Sequence, residues 1–124
     1  MAQRAPPRRP CVLLVEDEPL LRFMLADFIE DAGCEAVEAV NATEAVGILE
    51  TRDDIRVVVA DLDVRGSLMG LRLAAMVRER WPPIELILTG AVRPDVAAIP
   101  ARGVFHGKPF DERRFIESIR SFAM

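Results

Sequence analysis

The sequence contains few of the residues that build thiol or imidazole metal centres. Only two of its 124 residues are cysteines, and only one is a histidine. Cys11 and Cys34 lie in apolar surroundings without metal-ligand spacing, and no partner at such spacing accompanies His106. We therefore expect the cysteines to be small core residues in a reducing compartment and His106 to be an ordinary strand residue.

Long apolar runs and excess positive charge are also absent. No run approaches the roughly 20 residues needed to cross a bilayer, and the first residues lack the apolar stretch of a signal peptide. The net charge of −4 argues against general binding to nucleic acid or to anionic membranes. We therefore expect a cytoplasmic protein with no direct nucleic-acid binding and no membrane insertion.

Composition changes near residue 10. Residues 1–10 contain three prolines and three arginines without apolar periodicity, which predicts a flexible basic tail. The hydrophobic content of 51% is sufficient for a core, so residues 11–124 are predicted to form one domain.

In that domain, short apolar runs alternate with amphipathic segments. Strands are predicted at 11–15, 34–39, 55–60, 84–88 and 103–106. Three of these runs are almost wholly apolar, as in parallel strands buried on both faces. The sequence therefore predicts an α/β fold, a doubly wound five-stranded parallel sheet in the flavodoxin-like order 2-1-3-4-5.

Helix start and stop signals divide the remaining segments. Pro19 begins a first helix that ends at Gly33, and Asn41 and Asp111 are predicted caps of later helices. Between Gly90 and Phe105 the chain is short and interrupted by prolines, so only one or two turns fit around residues 94–99. The fourth helix is therefore expected to be shortened.

Polar residues follow four of the predicted strands. They are Glu16, Asp17, Asp61, Thr89 and Lys108. Parallel strands present their carboxyl ends at one edge, where ligands bind in such sheets. Three carboxylates there would repel one another without a cation, and Mg²⁺ prefers such hard oxygen ligands. With Lys108 and Thr89 beside it, a carboxylate in this setting can act as a nucleophile toward a phosphoryl group.

These motifs resemble the receiver domain of two-component response regulators, and the likeness extends from Cys11 to Phe122. The family's acidic pair matches Glu16 and Asp17, and its phosphoacceptor matches Asp61 in "VVVAD". Its switch hydroxyl matches Thr89 in "LILTG", its lysine and proline match Lys108 and Pro109 in "KPF", and its aromatic switch position matches Phe105.

The resemblance implies a stand-alone, single-domain response regulator rather than an enzyme. Asp61 would accept a phosphoryl group from a sensor histidine kinase or phosphotransfer protein, with Mg²⁺ held by Glu16, Asp17, Asp61 and the backbone carbonyl of Asp63. It also implies a cis Lys108–Pro109 bond. The output would be contact with another protein, or drainage of phosphate from a shared kinase, by a monomer or weak dimer.

Three departures from the family pattern leave alternatives open. Arg65 stands where proline is common, the sequence has no tyrosine for the switch position, and Asp63 adds a negative charge beside the site. Asp63 is interpreted either as a residue that tunes dephosphorylation or as a local loop contact. An unphosphorylated pseudo-receiver and a haloacid-dehalogenase-like phosphohydrolase, suggested by "VVVADLDV", are the competing hypotheses.

Overall fold

The computed structural model describes residues 8–63 and 68–124. Most of the predicted tail lies outside these ranges, as does Arg65. In the described part of the chain, five strands alternate with four α-helices. The strands are β1 (Cys11–Val15), β2 (Glu35–Ala39), β3 (Ile55–Asp61), β4 (Glu85–Gly90) and β5 (Val104–Gly107). The helices are α1 (Pro19–Asp31), α2 (Ala42–Thr51), α3 (Leu68–Arg80) and α4 (Glu112–Ala123).

The strands form one parallel sheet in the order β2-β1-β3-β4-β5. This confirms the predicted fold class and strand order. The central strands are largely apolar because both faces of the sheet are covered, and every residue of β1 is buried.

Each face of the sheet supports its own core. Val12 and Leu14 of β1 point toward a core that α1 and α4 complete, whereas Leu13 and Val15 point toward a core completed by α2 and α3. The alternation follows from the two-residue period of a strand. Two helices therefore cover each face, as the doubly wound prediction requires.

Local signals fix the helix ends close to their predicted positions. The Glu18 carboxylate accepts hydrogen bonds from the first-turn amides of α1, and Gly33 follows that helix with φ of +88°, a conformation that favours glycine. Asn41 Oδ1 accepts from the Glu44 amide at 2.8 Å, and Asp111 caps α4 in the same way.

Between β4 and β5 the chain forms only a 3₁₀ turn at Val96–Ala98. The prolines at 94 and 100 flank this turn, which agrees with the predicted shortening of the fourth helix. Val92 and Val96 are left 79% and 81% exposed. Within the described ranges, no helix has the length and hydropathy that crossing a membrane would need.

Candidate functional site

The predicted polar residues meet at the carboxyl edge of the sheet. Asp61 at the end of β3 is paired in register with Thr89 of β4. Glu16 follows β1 directly, and Lys108 follows β5, where its backbone N–H donates to the Gly90 carbonyl at 3.0 Å. Strand alignment therefore brings together side chains separated by as many as 92 positions in the chain.

These residues line an open cleft of about 510 Å³. Its lining is Glu16, Asp17, Glu18, Pro19, Leu21, Asp61, Asp63 and Lys108. Asp17 is exposed at this cleft, whereas Glu16 and Asp61 are only 1% and 4% exposed. The cleft is thus predominantly acidic, with buried carboxylates reaching its floor.

Lys108 provides the cation of this cleft. Its Nζ donates to Asp61 Oδ2 and to Asp63 Oδ2, each at 2.9 Å. The Asp63 backbone N–H donates to the other oxygen of Asp61 at 2.9 Å. Burial by itself would raise the pKa of Asp61, but the hydrogen bonds from Glu16, the Asp63 amide and Lys108 lower it below its usual value. Asp61 is therefore held as a carboxylate.

The pKa of Glu16 is shifted in the opposite direction from that of Asp61. Burial, followed by the hydrogen bond with Asp61, raises its pKa to about 8. Its Oε2 accepts from the Glu18 amide at 3.0 Å, whereas Oε1 is buried without a hydrogen-bond partner in the described residues. A cation beside these two neighbouring buried carboxyl groups would let both ionise.

The carboxylate and carbonyl oxygens at this edge are the kind of ligand that Mg²⁺ prefers. In the part of the chain that the model describes, no three carboxylate, thiol or imidazole side chains gather at metal-ligand spacing. Mg²⁺ commonly takes one or two carboxylates with several waters, so Glu16, Asp61 and a backbone carbonyl are a sufficient protein contribution. The buried, unpartnered Glu16 oxygen fits that role. The predicted ligand set, including Asp17 and the Asp63 carbonyl, stays a prediction.

Thr89 and Phe105 lie next to the acidic residues. Thr89 is fully buried, and its Oγ1 has no hydrogen-bond partner in the described residues. An unmade hydrogen bond of this kind is costly, which makes the Thr89 hydroxyl a candidate donor to a ligand at this edge. Phe105 is 9% exposed, in an inward position against the core. The Lys108–Pro109 peptide bond is cis.

Two contacts at this edge could not be seen in the sequence. The Arg93 guanidinium carbon lies 5.0 Å from the centroid of the Phe105 ring, and the Ala91 backbone N–H donates to Asp63 Oδ2 at 2.9 Å. Both involve the loop after β4, whose position depends on packing between strands. The sequence offers one indication of these contacts, which is that Ala91 and Arg93 closely follow Gly90, just after a predicted strand.

His106 is held by structural contacts. Its Nε2 is 2.8 Å from Ser118 Oγ, and its ring meets the Phe115 ring edge-on with centroids 5.5 Å apart. These contacts, and its place in β5, agree with the expectation that His106 is an ordinary strand residue.

The comparisons with known proteins bear on this arrangement. A family model described as the response regulator receiver domain matches residues 12–120. The chain belongs to the response regulator receiver domain family. The receiver is 32% identical over 117 residues to the response regulator protein FleR of Pseudomonas aeruginosa, covering 91% of this chain and 24% of FleR.

Further similarities agree with this assignment. A putative NtrX-like response regulator of Rickettsia bellii is 29% identical over 110 residues, covering 85% of this chain and 23% of its own length. The receiver domain of NtrX from Brucella abortus superposes with a TM-score of 0.75 at 28% identity, covering 89% of this chain and 98% of that one. A response regulator receiver protein from Pseudomonas putida superposes with a TM-score of 0.80 at 26% identity, covering 93% of this chain and 98% of that one. The receiver spans about a quarter of the length of the curated relatives.

Proposed function

We propose that this receiver accepts a phosphoryl group on Asp61 from a phosphohistidine of a sensor kinase or phosphotransfer protein. One observation carries the proposal. Asp61 is a buried carboxylate of lowered pKa at the floor of the cleft, and it accepts a hydrogen bond at 2.9 Å from Lys108, the only lysine in the sequence. A nucleophilic carboxylate that is ionised and held in one orientation is what acyl-phosphate formation requires.

The transfer conserves charge and atoms without an external oxidant or reductant. An Asp61 carboxylate oxygen attacks phosphorus in line, and a P–O bond forms as the P–N bond of phosphohistidine breaks. The electron pair of that bond returns to the imidazole nitrogen of the donor. Lys108 stabilises the charge that accumulates on the phosphoryl oxygens, because its ammonium already lies beside Asp61.

Glu16 and Asp61 would hold Mg²⁺, with Asp17 at the rim and the Asp63 carbonyl as further ligands. The ion, when bound, supplies positive charge for the phosphoryl oxygens and lets both buried carboxyl groups ionise. Glu16 must release its proton for this, since its pKa in the metal-free protein is raised to about 8.

The output step involves Thr89 and Phe105. The unpartnered Thr89 hydroxyl would donate to a phosphoryl oxygen on Asp61, with which it is paired across the two strands. Movement of Thr89 would leave space for Phe105 to repack, which shifts an existing equilibrium between two surfaces. A partner protein would read the altered surface.

The competing hypotheses have less support. A haloacid-dehalogenase-like phosphohydrolase carries its aspartate motif on the first strand, whereas Asp61 ends the third. The Asp63 carboxylate, which would be the acid or base of such an enzyme, is engaged by Lys108 and Ala91. A pseudo-receiver would lack the acceptor, an acidic residue or the lysine, and this receiver has all three.

The test is phosphorylation of the receiver by a small-molecule phosphodonor such as acetyl phosphate in the presence of Mg²⁺. Intact-mass spectrometry should show one added phosphoryl group on the wild type and none on Asp61→Asn. Asp95→Asn is the matched control, because it removes one carboxylate from the loop between β4 and β5. Phosphate retained by Asp61→Asn would refute the assignment of the acceptor.

A further inference from the structure

The Asp63 carboxylate makes contacts that the phosphorylation chemistry does not use. Its Oδ2 accepts from Lys108 Nζ and from the Ala91 backbone N–H, each at 2.9 Å. One carboxylate oxygen thus joins the cation of the site to the loop that follows β4. We call this pair of contacts the Asp63 clasp.

The clasp lies against the same loop that covers Phe105. A methyl group placed on Gly90 would lie 3.4 Å from Asp63 Oδ1 and 3.4 Å from the Phe105 ring, so Gly90 is packed between the two side chains. Three residues later, Arg93 lies over the face of the Phe105 ring. Asp63 and Phe105 therefore both contact one short segment, Gly90 to Arg93.

We propose that Asp63 acts as an internal brake, its carboxylate holding Lys108 and the Ala91 amide in the resting receiver and opposing the use of Lys108 by a phosphoryl group. This inference rests on the proposed function, because it assumes that Lys108 serves phosphoryl oxygens on Asp61. Phosphorylation would have to displace the carboxylate from Lys108, and that displacement would release Ala91 and with it the segment packed on Phe105.

The geometry allows the brake to be released. Asp63 is 39% exposed and Lys108 is 22% exposed, whereas Asp61 is only 3% exposed in its side chain. A partly exposed ion pair is weak enough to be exchanged for a phosphoryl group, while the buried Lys108–Asp61 contact is retained. The brake thus sets the balance between resting and activated forms without blocking the reaction.

The first experiment measures the affinity for beryllofluoride, a mimic of the acyl phosphate, in the presence of Mg²⁺. Asp63→Asn keeps an oxygen that can accept from Ala91 but loses the charge that holds Lys108. We expect its dissociation constant to fall by about threefold to tenfold relative to wild type. Asp95→Asn removes an equal charge from the neighbouring loop and should change the constant by less than about twofold.

The second experiment tests for the Asp63 clasp in the protein without ligand. Hydrogen exchange of the Ala91 amide, followed by NMR, should be at least about fivefold faster in Asp63→Ala than in wild type or in Asp63→Asn. In the wild type, beryllofluoride should also accelerate exchange at Ala91. A general effect of charge would accelerate exchange equally in Asp63→Ala and Asp63→Asn, since both substitutions remove the same charge.

The outcomes separate the brake from the proposed function. If wild type and Asp63→Asn both bind beryllofluoride with equal affinity, the brake is refuted and the proposed function stands. If wild type binds and Asp63→Asn binds more weakly, the carboxylate aids binding and the brake is likewise refuted. If neither protein binds, both proposals fail. Equal exchange at Ala91 in wild type and Asp63→Ala would overturn the clasp independently of binding.

Discussion

At Lys108 one ammonium is held by two carboxylates, Asp61 and Asp63, both at 2.9 Å. The other basic residues of the sequence are all arginines. A lysine is a compact point charge with three rotatable donors, whereas an arginine is a broad planar fork. The small space between Asp61 and Asp63 therefore provides a physical reason for lysine at this position.

Replacing Lys108 by arginine tests that reason, because the substitution keeps the charge. We expect the rate of phosphorylation by acetyl phosphate to fall by at least about tenfold, since the guanidinium cannot reproduce the position of Nζ. Arg113→Lys, at a side chain that is 90% exposed, is the matched control and should leave the rate unchanged. A normal rate in Lys108→Arg would mean that the lone lysine is an accident of composition.

His106 gives the receiver a pH dependence that is separate from the site. Burial, and then the positive charge of Arg114, lower its pKa from the usual 6.5, with Asp111 opposing and Arg93 adding to the decrease. The unfolded chain therefore binds a proton more readily than the folded protein. Stability from this group is complete above pH 6.5 and is lost as the pH falls below that value.

We expect His106→Gln to reduce the loss of unfolding free energy between about pH 7 and pH 5, because glutamine does not titrate. Glutamine can still hydrogen-bond to Ser118. Urea denaturation at the two pH values measures the difference, and an NMR titration of the wild type should give a His106 midpoint below 6.5. A midpoint above the usual value would contradict the burial of this imidazole in an uncharged form.

Among the elements, the strands could be read from the sequence with the least ambiguity. The largely apolar run 55–60 forms β3, in which every residue except Arg56 is buried, as expected for a parallel strand covered on both faces. Asn41, Asp111 and Pro19 marked helix starts through local chemistry that needs no tertiary contact.

Gly47 in helix α2 offers a test of how much one helical position contributes to stability. The glycine lies inside the helix, and a methyl group added there would meet no atom within 4 Å. Glycine in a helix costs about 0.5–1 kcal/mol relative to alanine, so Gly47→Ala should stabilise the receiver by that amount. Thermal or urea denaturation measures the gain. A loss of stability would show that the backbone at this position is not an ordinary helix interior.

At the scale of the whole molecule, sequence order alone located the site but not its internal contacts. Glu16, Asp61, Thr89 and Lys108 lie at or just after the ends of four strands that neighbour one another in the sheet, and a parallel sheet must bring those positions to one edge. The bond from Ala91 to Asp63 and the packing of Arg93 on Phe105 depend on the path of an irregular loop. Such a path is set by tertiary contacts and has no periodic signal in the sequence.

The central claim is that this edge binds a phosphoryl group on Asp61 with the help of Mg²⁺. Calorimetric titration of beryllofluoride into the receiver, with and without Mg²⁺, tests it most directly, with Asp61→Ala as the control. Binding should require Mg²⁺ and should be lost in Asp61→Ala. Binding that persists in Asp61→Ala, or no binding to the folded wild type under any Mg²⁺ concentration, would contradict it.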